Sequence, residues 1–205
     1  YYSEKPIYMP HHYQAQDDTL VISDDTPSRS ELGLPDNGFV FCAINNTYKI
    51  TPSEFNIWMR LLQNVDGSVL WLLESNKWVK ANLLKEANAR GVTSERLVFT
   101  QKVPHEKYLA QFRQADLYLD TFTYNAGATA SNALWAELPV LTKLGKGYTA
   151  RMAASLLASV GLPELITKKE IEYEELALKL ATNPEQLASI KQKLAANRLS
   201  KPLFN

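Results

Sequence analysis

Short, largely apolar runs recur along this chain, the first of them wholly apolar, and each is followed by a segment of helical spacing. The runs are Phe39-Val40-Phe41-Cys42-Ala43-Ile44, Ser68-Val69-Leu70-Trp71-Leu72-Leu73, Leu97-Val98-Phe99, Leu117-Tyr118-Leu119-Asp120 and Pro139-Val140-Leu141-Thr142. A strand that is apolar on both sides is buried on both faces, which is the mark of a parallel sheet. The intervening helices are predicted over Pro52–Val65, Lys77–Arg90, Pro104–Gln114, Thr129–Ala136 and Thr149–Val160, with two more over Glu172–Leu180 and Pro184–Asn197. Thr51, Pro52 and Glu54 spell a helix start, and Gly91 and Gly161 spell helix ends. Strand and helix in alternation require right-handed crossovers. The fold class predicted is α/β, a Rossmann-like doubly wound parallel sheet.

In such a sheet ligands bind beyond the C-terminal ends of the strands. The first strand exit holds Asn46 and Lys49, and a lysine there either meets a phosphate as a point charge or is a solvated loop residue. The fourth exit passes through small residues, Ala126-Gly127-Ala128-Thr129-Ala130-Ser131, into a helix. Small side chains there admit an anion to the helix amides, or they allow tight packing on the sheet. Tyr108 is placed either to stack on a planar base or to pack. The fifth exit, Lys143 to Arg151, reads equally as a phosphate-facing loop or a solvated turn. His105 and the pair His11-His12 lack the further ligands a metal needs, so no metal is expected. There is no nucleophile-elbow pattern.

Residues 1–37 differ from the rest. They hold four prolines, two of the three histidines and no sustained period. They are read as an extended arm, with Val21-Ile22 as a possible short strand and Ile7, Tyr8 and Met9 exposed. Residues 38–205 are read as the lobe. Lys+Arg and Asp+Glu balance at 22 each, which gives no reason to expect nucleic acid or an anionic membrane as partner. The single cysteine, Cys42, excludes an internal disulfide and favours a reducing compartment. No run reaches the roughly 18–20 apolar residues of a membrane span. The amino end lacks a signal-peptide pattern and an initiator Met, as in a chain cut from something longer.

Several stretches together resemble a known family. They are Phe41 to Ile50, Ser68 to Leu73, Ala115-Asp116-Leu117-Tyr118-Leu119-Asp120-Thr121, Ala133 to Thr142, Arg151 to Leu157, and the ending Pro202-Leu203-Phe204. In order, they are similar to the C-terminal lobe of O-linked N-acetylglucosamine transferases and their SPINDLY-type relatives. The arm, Glu4 to Pro10, resembles the segment that joins that family's two lobes.

The resemblance implies one lobe of a GT-B glycosyltransferase. It implies a UDP-sugar donor, UDP-N-acetylglucosamine or a related nucleotide sugar, and inverting transfer to Ser or Thr of an acceptor protein in the cytoplasm. No cofactor or metal is expected. The partners implied are an N-terminal lobe and tetratricopeptide repeats of the same chain, without which this piece is expected to be inactive. Lys49 matches the family lysine that contacts the donor diphosphate and is needed for transfer. Asn46 stands where a glutamine helps to hold the donor. Tyr108 stands where a histidine stacks on uracil, and Gln111 where an arginine is common. Thr129 matches the second threonine of a His-Thr-Thr segment, in which Gly127 and Ala128 replace the histidine and the first threonine. Asn132 replaces an aspartate that accepts from the ribose, and Glu137 replaces a glycine. These departures also allow a second expectation: a degenerate lobe that serves a repeat protein as a binding or scaffold module.

Overall fold

The computed structural model describes residues 3–5 and 7–205. Tyr1, Tyr2 and Pro6 of the expected arm lie outside the described residues. Strands and helices alternate: β1 Val40–Ala43, α1 Pro52–Asn64, β2 Val69–Leu73, α2 Lys77–Asn88, β3 Leu97–Thr100 and α3 His105–Gln111, then β4 Leu117–Leu119, α4 Ala128–Trp135, β5 Val140–Lys143, α5 Met152–Ser159, β6 Ile166–Thr167, α6 Glu170–Thr182 and α7 Pro184–Asn197. Among the described residues, the six strands lie in the order β3-β2-β1-β4-β5-β6, and every pairing is parallel. This is the doubly wound Rossmann order. The strand order reverses between β1 and β4, where Phe41 faces Leu70 on one side and Leu117 on the other.

The apolar runs form strands because each is covered on both faces. Phe41, Trp71 and Tyr118 are fully buried, as are Trp58 of α1 and Tyr173 of α6. Side chains of that size each remove 150–250 Å² from water, roughly, and dominate the core. Trp58 Nε1 donates to Tyr173 Oη (3.3 Å), and Tyr173 Oη donates to the Asp120 carbonyl (3.2 Å). The outer helix layer is thereby bonded to the end of β4.

Local signals act as expected at the start of α1, where the Thr51 amide donates to Glu54 Oε1 (2.7 Å). Past α2, Gly91 takes φ +76°, and the Val92 amide reaches back to the Ala87 carbonyl (3.0 Å). Three expectations are corrected, and one element is unanticipated. The helix predicted from Thr149 begins only at Met152. Thr149 is held elsewhere, its hydroxyl donating to the Thr123 carbonyl and its own carbonyl accepting from the Asn125 amide. Past Gln111 the third helix tightens to a 3-10 turn over Phe112–Gln114. Val21-Ile22 is not a strand. The two-residue β6, paired with β5, has no counterpart among the predicted runs.

Ile7, Tyr8 and Met9 are exposed, as expected. From there to residue 37 the chain forms no helix or strand and lies against this same sheet. Trp135 Nε1 donates to the Leu20 carbonyl (3.0 Å). Arg29 pairs with Asp116 (2.9 Å) and donates to the Gly38 carbonyl. Leu34 is buried in the core. Among the described residues, no helix is long and apolar enough to cross a membrane.

Candidate functional site

The strand ends at the β1/β4 switch point define the site. β1 runs out through Ile44 and Asn45 to Asn46, and a 3-10 turn over Thr47–Lys49 follows. The turn bonds the Lys49 amide to the Asn46 carbonyl (3.1 Å) and points the side chain inward. Lys49 is only 9% exposed, low for a lysine. Its Nζ donates to the Asn125 carbonyl (3.1 Å) and lies 4.0 Å from the centre of the Tyr124 ring. Burial pushes the ammonium below the usual lysine range, and the nearby Asp120 carboxylate opposes that shift.

β4 ends at Asp120, fully buried. Burial pushes its carboxyl up to about 7, against hydrogen bonds from Thr142, Ala126 and Thr121 and the charge of Lys49. The chain then loops to Gly127, the N-cap of α4, and the helix opens with Ala128 and Thr129. The first amides of a helix have no intrahelical acceptor and carry the positive end of its dipole. Lys49, bonded to Asn125, thus meets the same loop that leads into these amides, although it does not itself line the cleft beside that loop.

That cleft, of about 240 Å³, is lined by Asn45, Asn46, Leu73, Val103, Tyr108 and Thr129 among others. The structure thus brings Asn46, Tyr108 and Thr129 together. The Tyr108 ring stands edge-on to Phe112 (4.7 Å, 63°), and burial holds its hydroxyl above the usual tyrosine range. The other candidates do not line the cleft. Gln111 is buried on the inner face of α3, with Thr100 Oγ1 3.4 Å from its Oε1. Ala128 is exposed, and Asn132 lies one turn along α4. Gly127 is buried under the arm: a Cβ there would stand 2.6 Å from Tyr13 Oη and 2.6 Å from Met152 Cε. A histidine side chain at 127 has no room until Tyr13 and Met152 move.

The fifth exit loop does not present both its lysines as phosphate ligands. Lys143 pairs with Glu170 (3.0 Å) and covers the Phe122 ring. The loop braces the fourth exit through Thr149. Glu137 sits just past α4 at φ +64°, which explains why a glycine suits that position. Its carboxylate pairs with Arg198 (3.2 Å).

Sequence reasoning passed over Asn45. It is 5% exposed, its Oδ1 accepts the Asn46 amide (2.9 Å), and its Nδ2 is a buried donor without an acceptor in a cleft-lining residue. Two asparagines in a strand-exit loop were the available signal. Asp120 and Asn125 were also passed over, because their importance rests on contacts distant in sequence.

Residues 11–205 match the model of glycosyl transferase family 41. The chain is 34% identical, over 95% of its length, to a UDP-N-acetylglucosamine–peptide N-acetylglucosaminyltransferase of Caenorhabditis elegans, and covers 17% of that protein. It is 33% identical, over its whole length, to the probable UDP-N-acetylglucosamine–peptide N-acetylglucosaminyltransferase SEC of Arabidopsis thaliana, and covers 22% of it. The chain thus spans about a fifth of the length of these curated relatives. Among solved structures, a mutant O-GlcNAc transferase of Thermobaculum terrenum superposes with a TM-score of 0.76 at 27% identity, over 84% of this chain and 37% of that one. The Anabaena protein Alr3699/HepE in complex with UDP superposes at 0.68 and 16% identity, over 93% of this chain and 52% of that one, a likeness of fold.

Proposed function

The chain belongs to glycosyl transferase family 41, and from that premise we propose that it is the donor-binding lobe of a protein O-glycosyltransferase. In this reading residues 38–205 hold a UDP-sugar. The longer enzyme, working in the cytoplasm, transfers N-acetylglucosamine with inversion to a Ser or Thr hydroxyl. Residues 1–37 connect the lobe to a preceding one, which is in turn preceded by tetratricopeptide repeats.

The observation that supports the reading is Lys49, a buried cation at the switch point bonded to the loop that leads into α4. In glycosyl transfer the bond from the sugar to the diphosphate breaks, and negative charge grows on the leaving oxygen. Preorganised donors at that oxygen stabilise the transition state more than the ground state. Lys49 and the amides of Ala128 and Thr129 are those donors, and the chemistry calls for no metal. Tyr108, Thr129 and Asn46 take the nucleoside. A cleft of about 240 Å³ falls below the roughly 300–1,000 Å³ of a pocket that encloses a whole ligand. The sugar therefore needs a second wall, and the acceptor hydroxyl and its base come from outside these residues. Without that wall the isolated chain transfers nothing. Calorimetry with UDP tests the reading: binding in the micromolar to millimolar range is expected, and no binding at millimolar UDP refutes it.

A second reading, a degenerate scaffold lobe, draws on Gly127 being covered by Tyr13 and Met152 and on Asn132 replacing a ribose-binding carboxylate. Failure of the full-length protein to hydrolyse or transfer any UDP-sugar would favour it.

A further inference from the structure

Asp120 has no role in the reading above, yet its fully buried carboxyl is bonded to both ends of the loop that carries Asn125, the partner of Lys49. A buried carboxylate is costly unless its oxygens are satisfied. Here the Thr121 amide (2.9 Å) and the Ala126 amide (2.7 Å) both donate to Oδ1, and Thr142 Oγ1 donates to Oδ2 (2.7 Å). Thr121 and Ala126 are the two ends of the loop that leads from β4 towards α4. One carboxyl oxygen therefore closes that loop into a ring. Inside the ring, Asn125 Nδ2 donates to the Thr121 carbonyl (2.6 Å) and Thr121 Oγ1 to the Tyr124 carbonyl (2.6 Å). Two things leave the ring. One is the Asn125 carbonyl, which receives Lys49 Nζ. The other is Gly127, from which α4 starts.

We propose that Asp120 is the positioning residue of this loop: its carboxyl clamps residues 121–126 so that the Lys49 ammonium and the first amides of α4 converge on one diphosphate. It touches no substrate and acts through Lys49 and α4. The service is geometric. A negative charge near a diphosphate is repulsive, so the acceptor oxygen, not the charge, is what the site uses. Burial pushes the carboxyl up to about 7, and its Oδ1 accepts both amides in either protonation state. The inference rests on the donor-lobe reading for the identity of the ligand.

The test is UDP calorimetry on the 205-residue chain, with the Lys49 Cε resonance followed in ¹³C-lysine-labelled protein. Asp120→Asn keeps an oxygen for both amides. It should hold UDP affinity within about threefold and leave the Lys49 signal in place. Asp120→Leu keeps the bulk and removes the acceptor. It should lose at least about tenfold in affinity, and its Lys49 signal should join those of solvated lysines. Should the leucine variant fail to fold, Asp120→Ser, whose hydroxyl cannot span both amides, takes its place with the same expectation. The clamp is overturned if the variant lacking the acceptor keeps wild-type affinity and the wild-type Lys49 signal. It is equally overturned if Asp120→Asn loses about tenfold, which would make charge the working property. A wild-type chain that binds no UDP removes the donor-lobe reading alone, and the Lys49 resonances still decide the clamp.

Discussion

Lys49→Met keeps the apolar stem of the side chain and removes the ammonium. Three things change at once. The Asn125 carbonyl loses its donor, the Tyr124 ring loses its cation, and Asp120 loses the nearby positive charge. Against these losses stands the relief of desolvating an ammonium that is 9% exposed and already pushed below its ordinary pKa by burial. A cation–π contact is worth about 0.5–2 kcal/mol, and a hydrogen bond to a charged group about 1.5–3 kcal/mol before desolvation is subtracted. Gains and losses nearly offset, so stability should move by no more than about 1 kcal/mol. Ligand binding has no such offset. Losing one charge-assisted contact to a phosphate weakens UDP by roughly 10- to 150-fold, the same 1.5–3 kcal/mol read as affinity. Uridine, which has no phosphate, should bind both proteins alike. Calorimetry for UDP and an NMR titration for uridine measure the two arms. An equal loss on uridine would refute the assignment of Lys49 to the diphosphate, and so would unchanged UDP affinity. In the full-length enzyme the same change should cost roughly 10²–10³ in rate.

Other outcomes follow from the same geometry. The family resemblance sets Asn132 at the ribose, although it does not line the cleft. If the resemblance holds, Asn132→Asp tightens UDP and uridine alike by a few-fold, since a carboxylate is the stronger acceptor, and unchanged affinities by calorimetry and NMR would place it off the ligand. Asp120 binds its proton more tightly in the folded chain, at about 7 against 3.8, so its contribution to stability falls as pH rises between those values. Replacing it with Asn removes that fall. The melting temperature of Asp120→Asn relative to wild type should be higher at pH 8 than at pH 5, by an amount equivalent to about 3 kcal/mol. Glu137→Gly relieves a left-handed backbone and loses a half-exposed ion pair to Arg198, for a net gain of up to about 1 kcal/mol in urea denaturation.

The sheet was legible because parallel strands are buried on both faces and so read as unbroken apolar runs; Val40–Ala43 and Val69–Leu73 fall inside their predicted runs. β6 was not, because two residues held by one neighbour carry no period. The site divides in the same way. Lys49 could be singled out from its place after a buried strand. Its orientation could not, since the Asn125 carbonyl it meets lies 76 positions on. Gln111 was placed at the ligand by family resemblance, but α3 turns it inward toward Thr100. Asp120 looked like the polar end of a strand. Only the return of the chain at Ala126 and the arrival of β5 at Thr142 make it a hub.

The course of the arm has a kinetic meaning. Tyr13 lies over the start of α4, and Tyr8 and Met9 border a groove with Tyr148 and Met152 at the same rim. Any polypeptide that precedes residue 7 is thus tethered at the edge of the ligand surface. Its effective concentration there is set by a short leash, in the millimolar range for a flexible one. In the donor-lobe reading, a wall delivered in this way needs little affinity of its own to cover the nucleotide.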